Sequence, residues 1–171
     1  MIKINKLSIV IPAYNEGATI HFILDKVSKV ELVADIQKEV IIVNDFSSDN
    51  TEEVILKYIE NTDLNIQYFK HEYNQGKGAA LHTGISKATG EYLIIQDADL
   101  EYDPEEYNDL LKPVLKGEAD VVYGSRFLGG DRYVRIHFFW HYLANKILTF
   151  LCNIATNLNL TDMENHHVLY I

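Results

Sequence analysis

The chain has 171 residues, 47% hydrophobic and 11% aromatic, with 15 Lys+Arg against 25 Asp+Glu and a formal net charge of −10. This composition supports one domain with a substantial core and excludes a disordered or collagen-like chain. The acidic balance excludes a general nucleic-acid partner, which needs a basic face.

Short apolar runs alternate with helical patterns along the chain. Leu7–Ile11 reads as a buried strand ending at Pro12, and Ala18–Val30 carries a helical apolar face at Ile20, Ile23, Leu24, Val27 and Val30. Glu39–Val43 is a second strand. Ser47-Ser-Asp-Asn-Thr51 with Glu52 and Glu53 predicts a helix start with capping side chains, the helix running to about Glu60. Asn65–Phe69 alternates as a third strand, Gly78–Lys87 is helical, and Tyr92–Ile95 is a fourth strand leading into Gln96-Asp-Ala-Asp99. Pro104–Lys116 is helical, and Asp120–Tyr123 is a fifth strand. Continuous apolar strands separated by helices predict an α/β protein, a mostly parallel sheet with helices on both faces. In such sheets ligands bind beyond the carboxyl ends of the strands.

Those ends carry Pro12-Ala13-Tyr14-Asn15-Glu16, Asn44-Asp45, Asp97-Ala98-Asp99 and Gly124-Ser125-Arg126. Any one of them is ordinary turn chemistry, but four at one end of one sheet suggest a site. In an extended stretch Asp97 and Asp99 point the same way, which makes a hard oxygen site for Mg²⁺ or Mn²⁺, and Glu101 continues the parity. The acids from Asp103 to Glu106 suit a first helical turn instead. Gly76-Lys77-Gly78 precedes a helix without the Walker spacing, so Lys77 is either an anion contact or a solvated loop lysine. His137 and His141 lack the intervening Glu of the zinc-protease pattern and read as a polar helix edge. Cys152, the single cysteine, reads as packing and excludes an internal disulfide, which fits a reducing, cytoplasmic compartment.

The charge is uneven. Residues 1–125 hold 11 Lys/Arg and 22 Asp/Glu, whereas 126–161 hold Arg126, Arg132, Arg135 and Lys146 against Asp131 alone. This divides the chain, within one domain overall, into an acidic core over 1–125 and a basic, aromatic C-terminal segment over 126–171. From Ile136 onward, His141, Asn145, Thr149, Asn153 and Asn157 form a narrow polar stripe on an otherwise apolar, amphipathic C-terminal helix. Its apolar surface would lie on a membrane or pack against the sheet or a second subunit as a homodimer. No stretch reaches the length of a membrane span, and the N-terminus lacks the apolar core of a signal peptide. A peripheral position at the inner face of the membrane follows as an expectation.

Taken in order, Val10-Ile-Pro-Ala-Tyr-Asn-Glu16, Val43-Asn-Asp45 with Ser47–Thr51, Asn74-Gln-Gly-Lys-Gly78, Gln96-Asp-Ala-Asp-Leu100 and Gly124-Ser-Arg126 resemble the family-2 inverting glycosyltransferases of GT-A fold. Within them the set looks most like the dolichyl- or polyprenyl-phosphate sugar transferases. The resemblance implies a Rossmann-like GT-A fold, a UDP- or GDP-sugar donor, a divalent metal, and a lipid-phosphate acceptor. By position it assigns Pro12, Ala13, Tyr14 and Glu16 to the nucleotide pocket, Val43 and Asp45 to the base, and Asp97, Ala98 and Asp99 to the D-x-D element. It makes Asp99 the ligand of the bridging metal and Asp97 a neighbour of the ribose or metal. It assigns Arg126 to the donor or acceptor phosphates and Arg135 to the acceptor side. Asn44-Asp45-Phe46 replaces the family's usual Asp-Asp-Gly, and Glu101 stands where the lipid-phosphate branch usually has Gln. The residues after Leu160-Thr-Asp162 depart from the family pattern, and relatives run longer, so a truncated chain is expected. Transfer to a growing glycan and a catalytically silent nucleotide-sugar-binding domain are the competing readings.

Overall fold

The computed structural model describes residues 3–100, 102–123, 139–157, 159–161 and 168–170. The strands are β1 (Lys6–Ala13), β2 (Gln37–Asn44), β3 (Ile66–Lys70), β4 (Tyr92–Ile95), β5 (Val122–Tyr123) and β6 (Val168–Tyr170). The helices are α1 (Ile20–Lys29), α2 (Thr51–Glu60), α3 (Lys77–Lys87), α4 (Tyr107–Leu115) and α5 (Phe139–Thr156). Short 3-10 turns cover Val33–Asp35 and Pro104–Glu106.

One sheet runs in the order β3-β2-β1-β4-β6-β5. β1 pairs in parallel with β2 and β4, and β2 with β3, while β6 is antiparallel to both β4 and β5. The alternating side chains of β1, β2 and β4 feed two apolar layers. Leu7, Ile9, Ile11, Val40, Ile42 and Ile94 pack with α1, α2 and α4, including Ile23, Ile55 and Leu111. Val10, Ile41, Val43, Leu93 and Ile95 face Ala80 of α3. Gly84 lets α3 lie close, since a Cβ there would run into Val10 Cγ1. This is the expected mostly parallel α/β sheet covered on both faces.

Three sequence expectations change in detail, and one strand is added. β1 does not stop at Pro12 but continues to Ala13 along β2. The β1–β4 ladder does stop there, at Val10–Ile95, because proline has no N–H to extend it. The two strands therefore part at their carboxyl ends. The N-cap of α2 is Asn50, whose side chain makes no capping bond. The polar run around it serves both the helix and the neighbouring loop: Asp49 Oδ1 accepts from Thr51 N, the first amide of α2, while Ser47 Oγ accepts from Asn15 N, Thr51 Oγ1 from Glu16 N, and Asp49 Oδ2 from Gly17 N. β5 is limited to two residues. β6 lies in the segment beyond 126 and fills the place between β4 and β5.

Helix α5 lies in the segment where the C-terminal helix is expected. Asn145 and Thr149 of its polar stripe are buried, while Trp140, Ile147, Phe150, Leu151 and Ile154 are exposed. No helix among the described residues is long and apolar enough to cross a membrane.

Candidate active site

Strand order reverses between β1 and β4, since β2 and β3 lie on one side and β4 on the other. Ligands of open α/β sheets bind in the crevice at such a switch point. A cleft of about 360 Å³ opens there, a size suited to a small ligand. Pro12, Ala13, Tyr14 and Glu16 line it from the end of β1, Asp45 from β2, and Asp97, Ala98 and Asp99 from β4. Lys77 lines it from the first turn of α3, together with Asn74, Gly76 and Ala80. Four separate stretches singled out in the sequence thus meet in one cavity.

The segment after β4 is held from beneath. Gln96 is fully buried, and its amide nitrogen donates to the backbone oxygens of Asp97 at 3.0 Å and Tyr102 at 3.2 Å. Its amide oxygen accepts from the Tyr107 hydroxyl at 2.7 Å. Burial, and then the charge of Asp103, push the Tyr107 phenol well above its ordinary value, so it stays a donor. Gln96 ties both sides of the Asp97–Asp99 turn to α4, beneath the two aspartates that line the cleft. Asp97 Oδ1 meets Lys77 Nζ at 2.7 Å across the cleft.

Asp45 has a different environment. Its side chain is 3% exposed, and it accepts from Gln75 N at 2.9 Å, Gly76 N at 2.6 Å and His71 Nδ1 at 2.7 Å. Burial opposes its charge, but the two amides and the imidazole outweigh it and hold the carboxyl below the ordinary aspartate value. Asp45 lines the cleft while holding the 74–76 turn. Three residues near this rim, Asn15, Phe46 and Leu100, have left-handed φ angles of 56°, 59° and 64°. Such non-glycine outliers cluster at functional sites.

Val43 is fully buried in the layer under α3 and is not among the cleft-lining residues. Glu101, Arg126 and Arg135 lie outside the described residues. Among the described residues there is no group of three His, Cys, Asp or Glu that could hold a metal. Asp97 and Asp99 remain the candidate pair. Sequence reasoning did not single out His71 or Gln96 as supports. Gln96 shows a weak signal, a polar residue inside an apolar strand end, whereas the partners of His71 come only from distant segments.

A mostly parallel open sheet with a polar, carboxylate-bearing cleft at its switch point defines an α/β protein of the ligand-binding, doubly wound type. The chain belongs to glycosyl transferase family 2, whose family model matches residues 8–171. It is 34% identical over 131 residues to the dolichyl-phosphate beta-glucosyltransferase of Dictyostelium discoideum, covering 70% of this chain and 39% of that protein. It is 30% identical over 160 residues to the undecaprenyl-phosphate 4-deoxy-4-formamido-L-arabinose transferase of Photorhabdus laumondii, covering 94% and 47%. It is 37% identical over 103 residues to the poly-beta-1,6-N-acetyl-D-glucosamine synthase of Staphylococcus epidermidis, covering 60% and 24%. The chain thus spans less than half the length of these relatives. Among solved structures, it resembles a mannosyltransferase from Pyrobaculum calidifontis in complex with GDP-Man and Mn²⁺, with a TM-score of 0.64 and 26% identity over 72% of this chain and 36% of that one. Its fold also resembles the glucosyl-3-phosphoglycerate synthase of Mycobacterium tuberculosis, with a TM-score of 0.68 and 20% identity over 97% and 56%.

Proposed function

We propose that this chain is the donor-binding part of an inverting sugar transferase that moves a hexose from a UDP- or GDP-sugar to a polyprenyl phosphate. The observation that carries this reading is the meeting of the 12–16 segment, Lys77, Asp97 and Asp99 in one cleft at the switch point. The Pyrobaculum neighbour, solved with GDP-Man and Mn²⁺, and the relatives named for dolichyl and undecaprenyl phosphate support it.

Asp97 and Asp99 offer hard oxygen donors on one wall of the cleft, and Mg²⁺ or Mn²⁺ is typically held by one or two carboxylates plus substrate phosphates. When bound, such an ion would neutralise the charge developing on the nucleoside diphosphate leaving group. Pro12, Ala13, Tyr14 and Glu16 would hold the nucleoside. Lys77 would hold the diphosphate, and Arg126 and Arg135 would meet donor or acceptor phosphates. A lipid phosphate is already ionised and needs no general base. Transfer to a growing glycan, suggested by the match to the poly-N-acetylglucosamine synthase, would need a carboxylate to take the hydroxyl proton.

Calorimetry with UDP-glucose and GDP-mannose tests the reading. One donor is expected to bind only with Mn²⁺, and Asp99→Ala is expected to abolish that binding. Unchanged Mn²⁺-dependent binding in the variant would sink the assignment. The exposed apolar side of α5 supports a peripheral membrane position. Flotation with anionic liposomes is expected to carry the protein upward, and a protein left with the soluble fraction overturns that part.

A further inference from the structure

The side chain of His71 joins three parts of the fold that the sequence keeps apart. Its backbone N donates to Asn44 O at 3.0 Å, extending the β2–β3 ladder by one residue. Its imidazole then reaches back across the strand ends. Nδ1 donates to Asp45 Oδ1 at 2.7 Å, and Nε2 stands 2.9 Å from Thr83 Oγ1 on α3. A neutral imidazole with its proton on Nδ1 accepts from the threonine hydroxyl at Nε2. The imidazole is only 9% exposed, so water does not compete effectively for these bonds.

Asp45, held on one side by His71, uses its remaining capacity on the backbone of the turn leading into α3. Oδ1 also accepts from Gln75 N and Oδ2 from Gly76 N. Gly76 is the N-cap of α3, with φ 87°, and Lys77 follows it into the cleft beside Asp97. We propose that His71 is a positioning residue for donor binding, acting through Asp45 to fix the 75–76 turn and with it Lys77 and the first amides of α3. This rests on the donor-binding reading above. The β3 edge strand is only half-buried from Ile66 to Phe69, so apolar packing alone holds this corner loosely. The hydrogen bonds from His71 supply the missing constraint, and those to a charged acceptor are among the stronger ones.

The two arms of the imidazole can be tested apart. The amide of Asn reaches the position of Nδ1, and that of Gln the position of Nε2. His71→Gln keeps the Thr83 arm and loses the Asp45 arm, so Mn²⁺-dependent binding of UDP or GDP is expected to weaken by about tenfold. His71→Asn restores the Asp45 arm and is expected to bring binding back to within about threefold of wild type. Unimpaired binding in His71→Gln, with wild type binding normally, overturns this inference alone. Equal losses in both variants overturn it too, because they trace to volume or to Thr83. A wild type that binds neither nucleotide brings down the donor-binding reading and this inference together. If His71→Gln does not fold, NMR of the wild type decides. A slowly exchanging His71 Nδ1–H that shifts on adding nucleotide is expected, and an unmoved signal overturns the inference.

Discussion

Phe46 holds a left-handed backbone conformation next to the cleft residue Asp45. It follows Asp45 at the end of β2, has φ 59°, and leaves 48% of its surface exposed. A left-handed conformation costs an L-residue about 1–2 kcal/mol, and glycine escapes most of that cost. Phe46→Gly is therefore expected to stabilise the protein by about 1 kcal/mol and raise its melting temperature by about 2–4 °C. A fall in melting temperature would mean that Phe46 makes contacts worth more than its strain. The departure from Asp-Asp-Gly was legible in the sequence, but the positive φ that gives it an energetic meaning was not. The same contrast holds across the site. Asp97 and Asp99 could be read together because they are two residues apart just beyond β4, although they sit in a turn and not on the extended stretch that the sequence suggests. His71, Asp45 and Thr83 could not, because only the packing of α3 on the sheet brings them within hydrogen-bond distance.

At the scale of elements, Glu39 does at the amino end of the sheet what Asp45 does at the carboxyl end. It is 2% exposed on β2. Its carboxylate accepts from Ser8 Oγ of β1 at 2.6 Å, from Gln67 Nε2 of β3 at 3.0 Å, and from Thr89 N and Oγ1 in the α3–β4 turn at 2.9 and 2.7 Å. Burial works against its charge, but Ser8 and Thr89 outweigh it, and the net effect lowers its pKa below the ordinary glutamate value. A lowered folded pKa contributes stability that is fully present above the unfolded value of about 4.3 and is lost as pH falls through the folded one. Glu39→Gln replaces one of the two accepting oxygens with an NH₂, which then faces two of the four donors. It is expected to cost about 2 kcal/mol at pH 7. The variant should also lose less stability than wild type between about pH 5 and pH 3, since its own titrating group is gone. Thermal melts across that range check both parts, and parallel pH profiles would remove Glu39 from the acid transition. The elements themselves were largely legible because helical and strand periodicities are local. The partners of Ser47–Asp49 were not, since a capping residue and a loop clamp have the same composition.

For the whole molecule, the charge division at residue 125 and the sheet do not divide the chain in the same place. Leu169 comes from the segment beyond 126, yet it is fully buried in the larger apolar layer. It pairs with Ile94 on one side and Val122 on the other. The sequence around it shows no strand signal, because three residues are too few for a period and the pairing is non-local. β5 pairs with β6, so the last described strand completes the sheet begun by the first. If residues 1–125 and the segment beyond 126 fold as one unit, Leu169→Ala must weaken all of it. Truncating a buried leucine costs about 2–5 kcal/mol, which corresponds to a drop of about 4–20 °C in a single melting transition. Ile154→Ala, on the exposed side of α5, should change stability by less than about 0.5 kcal/mol. Both variants melting like wild type, or a main transition that survives Leu169→Ala while a second one moves, would show the core of 1–125 standing without its C-terminal strand. A common downward shift in the first variant alone makes that strand part of the scaffold that sets the end of β4, and so the place of Asp97 and Asp99.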